Sequence, residues 1–420
     1  MIDLFIVKAP VGPAKPYHQD RLAHGAIGRF SAGKHKPITT YINSPITGAR
    51  MEVQYSVEEL GREPLAYVEI TIPLAAATIG QNYVHAGLDS VFWEVTCAAH
   101  LVRLILISLG FQNDEIERFV ADAEVQLCEL TWHTSTASVK ARSSLQQRSL
   151  VYFESMEKIS SRHNVHITDV DYRRSNGHPG LFVTLKDGDE FRQYGKFDHA
   201  LLRSKAGKQR YGLSTEMKAQ RAALLDSIET HTRNEVRLCA SSLKSLGLQH
   251  PSSWNTTSLR HAIDTVWMKL GFTSSSTPSD AETQPRKPLS TESRRTLEKY
   301  LKGQQNLEEE LPPYTFTRHR KAILEFNGVD IAHKDRCAVN PTSLGRQLQY
   351  AHRWKPEQHF RKWMLCDETG PAVVLDLQRG LAYITDGVLP SIEDNFEFEA
   401  WLRRWKKFVD EERLDNSSQA

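Results

Sequence analysis

Apolar and polar residues alternate along several segments in the first half of the chain, and this pattern predicts β-strands. A repeat of two places every second side chain on one buried face of a sheet. The predicted strands are residues 4–8, 66–72, 125–133, 181–186, 190–197 and 234–239. Asp187-Gly188 joins two of these runs, and Asp-Gly at such a position predicts a tight hairpin.

Other segments repeat their apolar residues every three to four positions, which predicts helices. These helices are residues 88–109, 215–230, 292–301, 317–327 and an amphipathic segment at 397–413. The first of them is strongly apolar and is expected to lie in the core. Strands separated by long helical or irregular connections indicate an α+β fold with one sheet flanked by helices.

Residues 273–293 are rich in Ser, Thr and Pro and almost free of large apolar side chains. Such a composition predicts a linker. We therefore expect two domains, an α+β domain at 1–272 and a mostly helical domain at 294–420.

The composition is that of an ordinary globular protein, with 40% hydrophobic and 25% charged residues. Because 53 basic residues oppose 51 acidic ones, the net charge of +2 neither requires nor excludes a nucleic-acid partner. The five cysteines lack metal-type spacing, which favours reduced thiols. The first residues are typical of a strand and not of a signal peptide, and the longest apolar run is too short to span a bilayer. We expect a soluble cytoplasmic protein without membrane contact.

Tyr194 and Lys196 lie two residues apart on the predicted strand 190–197 and should project from the same face. An ammonium group beside a phenol favours the phenolate, which is the form that attacks phosphorus. Tyrosine and lysine at this spacing are also common for packing and surface reasons, so the pair alone does not establish a nucleophile.

Glu129, Thr131 and His133 share one face of the predicted strand 125–133. A carboxylate and an imidazole on a rigid strand are suited to holding a divalent cation. The alternative, which the spacing alone favours, is a solvent-facing edge of a sheet whose Leu130 and Trp132 point inward.

The segment Gly80–Gly87 places polar residues between two glycines and is expected to form a loop over the sheet. Its candidate ligands are Gln81, Asn82 and His85. His85 could bind a metal, although a single histidine in a loop is more often merely exposed.

Beyond the linker, Thr317 is predicted to cap a helix with a basic first turn, formed by Arg318, His319, Arg320 and Lys321. Cations at a helix N-terminus oppose the helix dipole unless a phosphate compensates, so this turn is a candidate for contact with duplex DNA. An exposed basic helix without a partner explains the same pattern equally well. The chain has no phosphate-binding P-loop, no Cys-x-x-Cys pair and no nucleophile elbow, which argues against an ATPase, a zinc protein and a serine hydrolase.

Together these segments resemble the gene-two rolling-circle replication initiators of filamentous phages, a divergent branch of the HUH endonucleases. The matching blocks run in order: Met1–Leu4, Glu69-Ile70, Gly80-Gln81-Asn82, Leu127–Thr131, Tyr194-Gly195-Lys196, Arg233–Leu238, Leu243–Leu248 and Arg318–Asp330. They resemble, among others, the family's Gly-His-Asn loop, its Arg-Ile-Asp-Ala-Thr-type strand, its Tyr-x-Lys and its Arg-x-Glu-x-Arg strand. The chain departs from that pattern at Gln81, where histidine is frequent, and at Glu129, where aspartate stands.

The resemblance implies an HUH-like fold and a metal-dependent, site-specific DNA nickase that also rejoins strands. Tyr194 would form a 5′-phosphotyrosyl link at the replication origin, with Lys196 assisting, and the displaced strand would later be closed into a circle. Mg²⁺ or Mn²⁺ would be held by Glu129, His133, Gln81 and His85, supported by Thr131, Asn82, Glu235 and Arg237. The implied partners are origin DNA, both the double-stranded replicative form and the displaced single strand, and the host helicase and polymerase, in the host cytoplasm.

Three other functions compete with this one. A non-catalytic, sequence-specific DNA-binding or regulatory protein would need no metal and would keep its affinity for DNA without Tyr194. A tyrosine recombinase would carry its nucleophile near the C-terminus, where nothing in this chain matches. A structural virion protein has no use for a Tyr-Lys pair beside metal-type ligands.

Overall fold

The computed structural model of the protein describes most of the first 272 residues and parts of the region that follows. The described residues are 2–13, 38–44, 47, 49–58, 65–83, 87–159, 166–175, 178–198, 200, 215–272, 289–301, 307–327, 331–332, 341–350 and 353–355. The predicted helix 397–413 and residues 273–288 of the predicted linker lie outside them, so both stay predictions.

The nine described strands form one antiparallel sheet, which confirms the α+β fold with a central antiparallel sheet. The strands are β1 (Ile2–Pro13), β2 (Ile38–Asn43), β3 (Arg50–Glu58), β4 (Leu65–Pro73), β5 (Glu124–Thr134), β6 (Ile167–Ser175), β7 (His178–Leu185), β8 (Glu190–Tyr194) and β9 (Thr232–Cys239). Their order across the sheet is β2-β3-β4-β1-β5-β9-β8-β7-β6. Strand β5 therefore lies in the middle, between the N-terminal strand and β9.

Helices connect these strands and continue beyond them. They are α1 (Leu74–Ile79), α2 (Val91–Ser108), α3 (Asn113–Asp122), α4 (Val139–Ile159), α5 (Thr215–Ser227), α6 (Ala240–Ser245), α7 (Thr256–Lys269), α8 (Thr291–Leu301), α9 (Leu307–Glu310), α10 (Pro313–Asn327) and α11 (Pro341–Leu348). The predicted helices at 88–109, 215–230 and 292–301 are confirmed, the first beginning with a 3₁₀ turn at Leu88–Ser90.

Helix α2 is a core helix, as its apolar spacing predicts. Leu101 and Leu106 on it are fully buried in the main hydrophobic cluster. Among the described residues it is also the helix with the length and hydropathy of a membrane span. Since more than half of it is buried inside the protein, its apolar character is explained by packing and fits a soluble protein.

The hairpin predicted at Asp187-Gly188 is present between β7 and β8. Gly188 has a φ of +90°, and its amide donates to the Leu185 carbonyl at 3.0 Å. The predicted extension of the second strand to residue 197 is wrong, because β8 ends at Tyr194 and residues 196–198 are helical. Gly195 separates the two conformations.

A second, smaller hydrophobic cluster lies after the predicted linker. Leu297 of α8 and Phe316 and Ile323 of α10 belong to it. Helix α11 packs elsewhere, since Leu344 and Leu348 are buried in the main cluster. The division of the chain into domains at 1–272 and 294–420 stays a prediction.

Candidate functional site

Polar side chains from three neighbouring strands meet on one face of the sheet. In the register of the sheet, Thr131 of β5 lies opposite Glu235 of β9, which lies opposite Arg192 of β8. Two residues before Glu235 on β9, Arg233 lies opposite His133 of β5 and Tyr194 of β8. Because opposed residues project from the same face, the site is built by strand register. Val236 and Leu238 point to the other face and are fully buried in the core, as their alternation predicts.

The surface on which these residues lie is not a solvent-facing edge. Glu129, Thr131 and His133 are all buried, and Leu130 and Trp132 are buried on the opposite face. The solvent-facing alternative for this strand is therefore wrong. The sequence could not show this, because β5 is covered by segments distant in the chain, such as Trp354, whose amide donates to the His133 carbonyl at 2.7 Å.

Arg233 is the central cation of the site and is completely buried. Its Nε donates to Glu235 Oε1 at 2.7 Å, and its Nη2 pairs with Asp3. Its Nη1 donates to the Asn82 carbonyl, and Thr131 Oγ1 lies 3.4 Å from Nη2. Burial opposes the charge, but Asp3, Tyr194 and the glutamates outweigh it and raise the pKa of Arg233. The buried Arg233 guanidinium therefore ties together strands β1, β5 and β9 and the loop at Asn82.

Tyr194 hydrogen-bonds directly to the carboxylate that Arg233 also contacts. Its hydroxyl donates to Glu235 Oε1 at 2.6 Å, while the side chain as a whole is half-buried. Burial raises the pKa of Tyr194 well above its ordinary value, and Glu235 and Asp3 raise it further against the opposing effect of Arg233. In this state the phenol keeps its proton.

Three buried carboxylates converge beside Tyr194. One oxygen each of Asp3, Glu129 and Glu235 lies within 4.8 Å of the others. Burial first, then Glu235 and Asp3, raise the pKa of Glu129 from 4.5 to about 7. The Asp3 carboxyl is lowered in pKa, because Arg233 and Lys196 together outweigh its burial.

This group of carboxylates could hold a divalent cation that prefers oxygen ligands. Opposite ligands of Mg²⁺ are about 4.2 Å apart and those of Ca²⁺ about 4.8 Å apart, so small movements would let the three oxygens share one ion. All-oxygen donors favour Mg²⁺, Mn²⁺ or Ca²⁺ over metals that prefer sulfur. The mutual repulsion that raises the pKa of Glu129 is what a bound cation would relieve.

Two further arginines bind Glu129 at the edge of the group. Arg237 Nε donates to Glu129 Oε1 at 3.0 Å, and Arg192 Nη1 donates to the same oxygen at 3.1 Å. Glu190 accepts from Arg192 Nε at 2.8 Å. Arg237, predicted to be a supporting residue, therefore contacts the predicted ligand Glu129, and Arg192 contacts the same oxygen.

Of the remaining predicted metal ligands, the structure describes Gln81 and His133. Gln81 is buried, and its side-chain oxygen accepts from the Tyr83 amide at 2.7 Å. His133 is buried and not part of the group, and burial together with Arg233 lowers its pKa well below its usual range. Its ring lies edge-on to His231 with centroids 6.3 Å apart. His85 lies outside the described residues.

Lys196 is near Tyr194 but is not beside it on a strand. The ammonium nitrogen lies 6.0 Å from the centroid of the Tyr194 ring, and the side chain is buried. Its charge lowers the pKa of Asp3. Lys196 therefore adds positive charge to the site from the helical turn after β8. Arg233 is the cation that most strongly lowers the Tyr194 pKa, against the larger effect of burial.

The helix that carries the predicted DNA-contact residues begins earlier in the chain than the sequence predicts. Helix α10 starts at Pro313, so Thr317 is not its cap and the basic residues are not in its first turn. His319 is buried, and its Nδ1 lies 2.8 Å from Thr296 Oγ1 of α8, so it packs between the two helices in this structure. Arg318 and Lys321 are exposed and Arg320 is half-buried.

Asp3, Arg192 and Arg233 are site residues to which the sequence analysis gave no role. Arg233 could have been found, because it lies two residues before Glu235 and must share its face. Asp3 offered only one signal, a carboxylate between apolar residues of the first strand. Comparisons with family models, curated proteins and solved structures find no match for this chain.

Proposed function

We propose that this protein nicks and rejoins DNA at a replication origin, with Tyr194 as the nucleophile, as in rolling-circle replication of a phage genome in the host cytoplasm. The observation that supports this most is the 2.6 Å hydrogen bond from the Tyr194 hydroxyl to Glu235, inside a group of three carboxylates. Transfer of a phosphodiester to tyrosine needs a phenol, a base that accepts its proton and ligands for a divalent cation, all close to one another.

In the proposed reaction, Glu235 Oε1 accepts the phenolic proton as the Tyr194 oxygen attacks the phosphorus. The bond from phosphorus to the 3′-oxygen breaks, and that oxygen takes up a proton to become a free 3′-hydroxyl. One phosphodiester has replaced another, so the reverse step can rejoin a strand without ATP. Arg233 holds Glu235 in position for the proton transfer through its 2.7 Å bond.

Asp3, Glu129 and Glu235 are the residues that would hold Mg²⁺ or Mn²⁺. When bound, such an ion would polarise a non-bridging phosphate oxygen and offset the charge that develops at phosphorus. Thr131, Asn82 and Arg237 would support the group through their contacts with Arg233 and Glu129. The partners would be origin DNA, double-stranded and displaced, together with the host helicase and polymerase.

A non-catalytic DNA-binding protein is the second candidate. It is favoured by the pairing of each carboxylate in the group with an arginine, since such a network can serve stability alone. The two candidates differ in one measurable property, which is whether Tyr194 becomes covalently attached to DNA.

The test is incubation of the full-length protein with supercoiled DNA carrying its own replicon's origin and Mg²⁺, followed by a denaturing gel. We expect a nicked circle with protein attached, lost in Tyr194→Phe and in the presence of a chelator. Tyr172→Phe is the matched control, because Tyr172 lies on β6 and not at the site. Glu235→Gln should slow nicking by roughly 10²- to 10⁴-fold, the usual contribution of a general base.

Nicking by Tyr194→Phe at the wild-type rate would assign the nucleophile to another residue and end the proposal. DNA binding without any covalent product, in wild type and Tyr194→Phe alike, would favour the non-catalytic candidate.

A further inference from the structure

His133 and His231 form a pair of buried imidazoles outside the carboxylate group. His133 lies on β5, and His231 directly precedes β9, where Thr232 lies opposite Thr134 of β5. The two histidine side chains are 3% and 6% exposed, and their ring centroids are 6.3 Å apart. Since strand pairing brings them together from distant parts of the chain, no sequence motif reveals the pair.

All four ring nitrogens of the pair are buried without a hydrogen-bond partner among the residues that the structure describes. The Tyr83 backbone acts on the pKa of His133 but does not meet the geometry of a hydrogen bond. Buried polar atoms in folded proteins nearly always have a partner, and an unpaired one costs about 1–3 kcal/mol. Two adjacent rings with the same deficit therefore indicate a ligand that both can bind.

Both rings are in the protonation state that binds metal ions. Burial lowers the pKa of His231 to about 4. Burial first, then Arg233, lowers the pKa of His133 well below its usual range. At neutral pH each imidazole is therefore uncharged and has a free lone pair, which suits zinc, copper, nickel and cobalt better than magnesium.

The separation of the rings fits one shared ion. Since a Zn–N bond is about 2.1 Å and a ring centroid lies about 1.2 Å from its nitrogen, two imidazoles on one ion have centroids at most about 6.6 Å apart. The observed 6.3 Å lies within that limit. An approach of about 1 Å would give the tetrahedral angle that zinc prefers. A half-turn of an imidazole exchanges its carbon and nitrogen edges, so either ring can present a nitrogen without changing its plane.

The charges around the pair are balanced and do not exclude a cation. Arg233 and Lys196 are the cations that act on the pKa of His133. Arg233 forms ion pairs with both Asp3 and Glu235, and Lys196 acts on Asp3 as well. The two positive charges are therefore offset by two carboxylates.

We propose that His133 and His231 bind one transition-metal ion of the zinc class, separate from the carboxylate group, with water at its remaining positions. The ion would join β5 to the residue before β9. Trp354 closes the pair on one side, because its ring centroid lies 4.5 Å from that of His231 and its amide donates to the His133 carbonyl at 2.7 Å. This site does not depend on whether Tyr194 cleaves DNA.

The test titrates full-length, metal-free protein with Zn²⁺ against a coloured zinc indicator, in excess Mg²⁺ and without DNA. We expect one tight equivalent of Zn²⁺ per chain that Mg²⁺ does not displace. His133→Phe and His231→Phe should each weaken it by at least about tenfold, since loss of even a residue behind a metal ligand costs about that much. A crystal of the wild type soaked in Zn²⁺ needs no variant, and it should show an anomalous-scattering peak between the two rings.

His100→Phe is the matched control, because the ring nitrogens of His100 are also buried without a partner among the described residues and its pKa is also lowered to about 4. It lies on α2 and should bind Zn²⁺ like wild type, as should Glu129→Gln. Unchanged Zn²⁺ affinity in both pair variants, an equal loss in Glu129→Gln, or an anomalous map without a peak between the rings would each overturn the inference. Because no DNA is present, neither result bears on nicking, and a failure of nicking leaves this site untouched.

Discussion

Replacing Glu129 by glutamine should change how the stability of the protein depends on pH. The Glu129 side chain is only 8% exposed. Its burial and the two neighbouring carboxylates raise its pKa from 4.5 to about 7, despite the opposing effect of Arg192 and Arg237. Glutamine keeps the shape and an acceptor oxygen for both arginines, but it cannot ionise. The variant therefore removes the titration and leaves most of the packing.

The expected effect is about 3 kcal/mol, since each unit of pKa corresponds to ~1.4 kcal/mol. The folded protein holds the Glu129 proton more tightly than the unfolded chain. The contribution of Glu129 to the free energy of unfolding should therefore fall as pH rises from 4.5 to 7, and the loss should be complete above about pH 7. Glu129→Gln lacks this loss, so its stability relative to wild type should rise by about 3 kcal/mol over the same range.

Urea unfolding of both proteins at half-unit steps from about pH 4.5 to 8, with a chelator present, measures this difference directly. Glu117→Gln is the control, because the hydrogen bond from Arg103 lowers the pKa of the exposed Glu117. Its effect should be small and of the opposite sign. A stability difference between Glu129→Gln and wild type that does not change with pH would refute the assignment of Glu129 as a proton-holding carboxyl.

Mg²⁺ should act on the same residue, because a cation and a proton compete for the carboxylate group. Above pH 7, adding Mg²⁺ should raise the thermal midpoint of wild type, and the gain should shrink as the solution is acidified through the pKa of Glu129. The same gain in Glu129→Gln as in wild type would place the ion elsewhere.

Two predictions concern other parts of the fold. Burial lowers the pKa of His231 from 6.5 to about 4, so the stability of wild type relative to His231→Phe, measured by urea unfolding, should fall by about 3 kcal/mol as pH falls from 6.5 through 4. Gly188 has a φ of +90°, so Gly188→Ala should lower the free energy of unfolding by about 1 kcal/mol, measured in urea, with Gly188→Asn closer to wild type. An alanine variant as stable as wild type would mean that the turn adopts another conformation.

Much of the sheet could be predicted from alternation alone. Strands β4, β5, β7 and β9 agree with the predicted segments within three residues at each end, whereas β1 continues to Pro13, well beyond its predicted end at residue 8. Strand β3 was missed although Met51, Val53 and Tyr55 alternate and are buried, so its signal was present. The end of β8 was not predictable from alternation, since Lys196 continues the polar pattern while the backbone turns at Gly195.

The site was harder to predict because its contacts are distant in sequence. Asp3 and Arg233 are 230 residues apart and form one buried ion pair. The pairing of β1 with β5 and of β5 with β9 brings them together, and no local pattern encodes that order of strands. Tyr194 and Glu235 were each singled out from the sequence, but their hydrogen bond depends on the register of β8 against β9.

The charges around Tyr194 set a condition that any nucleophilic role must satisfy. Burial and two carboxylates keep the phenol protonated. Glu235 Oε1 accepts hydrogen bonds from both Tyr194 and Arg233. Moving the proton from Tyr194 to Glu235 would place a negative charge on the phenol oxygen, where burial and the neighbouring Asp3 oppose it. A cation at the three carboxylates would offset that charge and lower the Tyr194 pKa. The phenol and the acidic group therefore form one electrostatic unit, in which Tyr194 keeps its proton unless positive charge is added at the carboxylates.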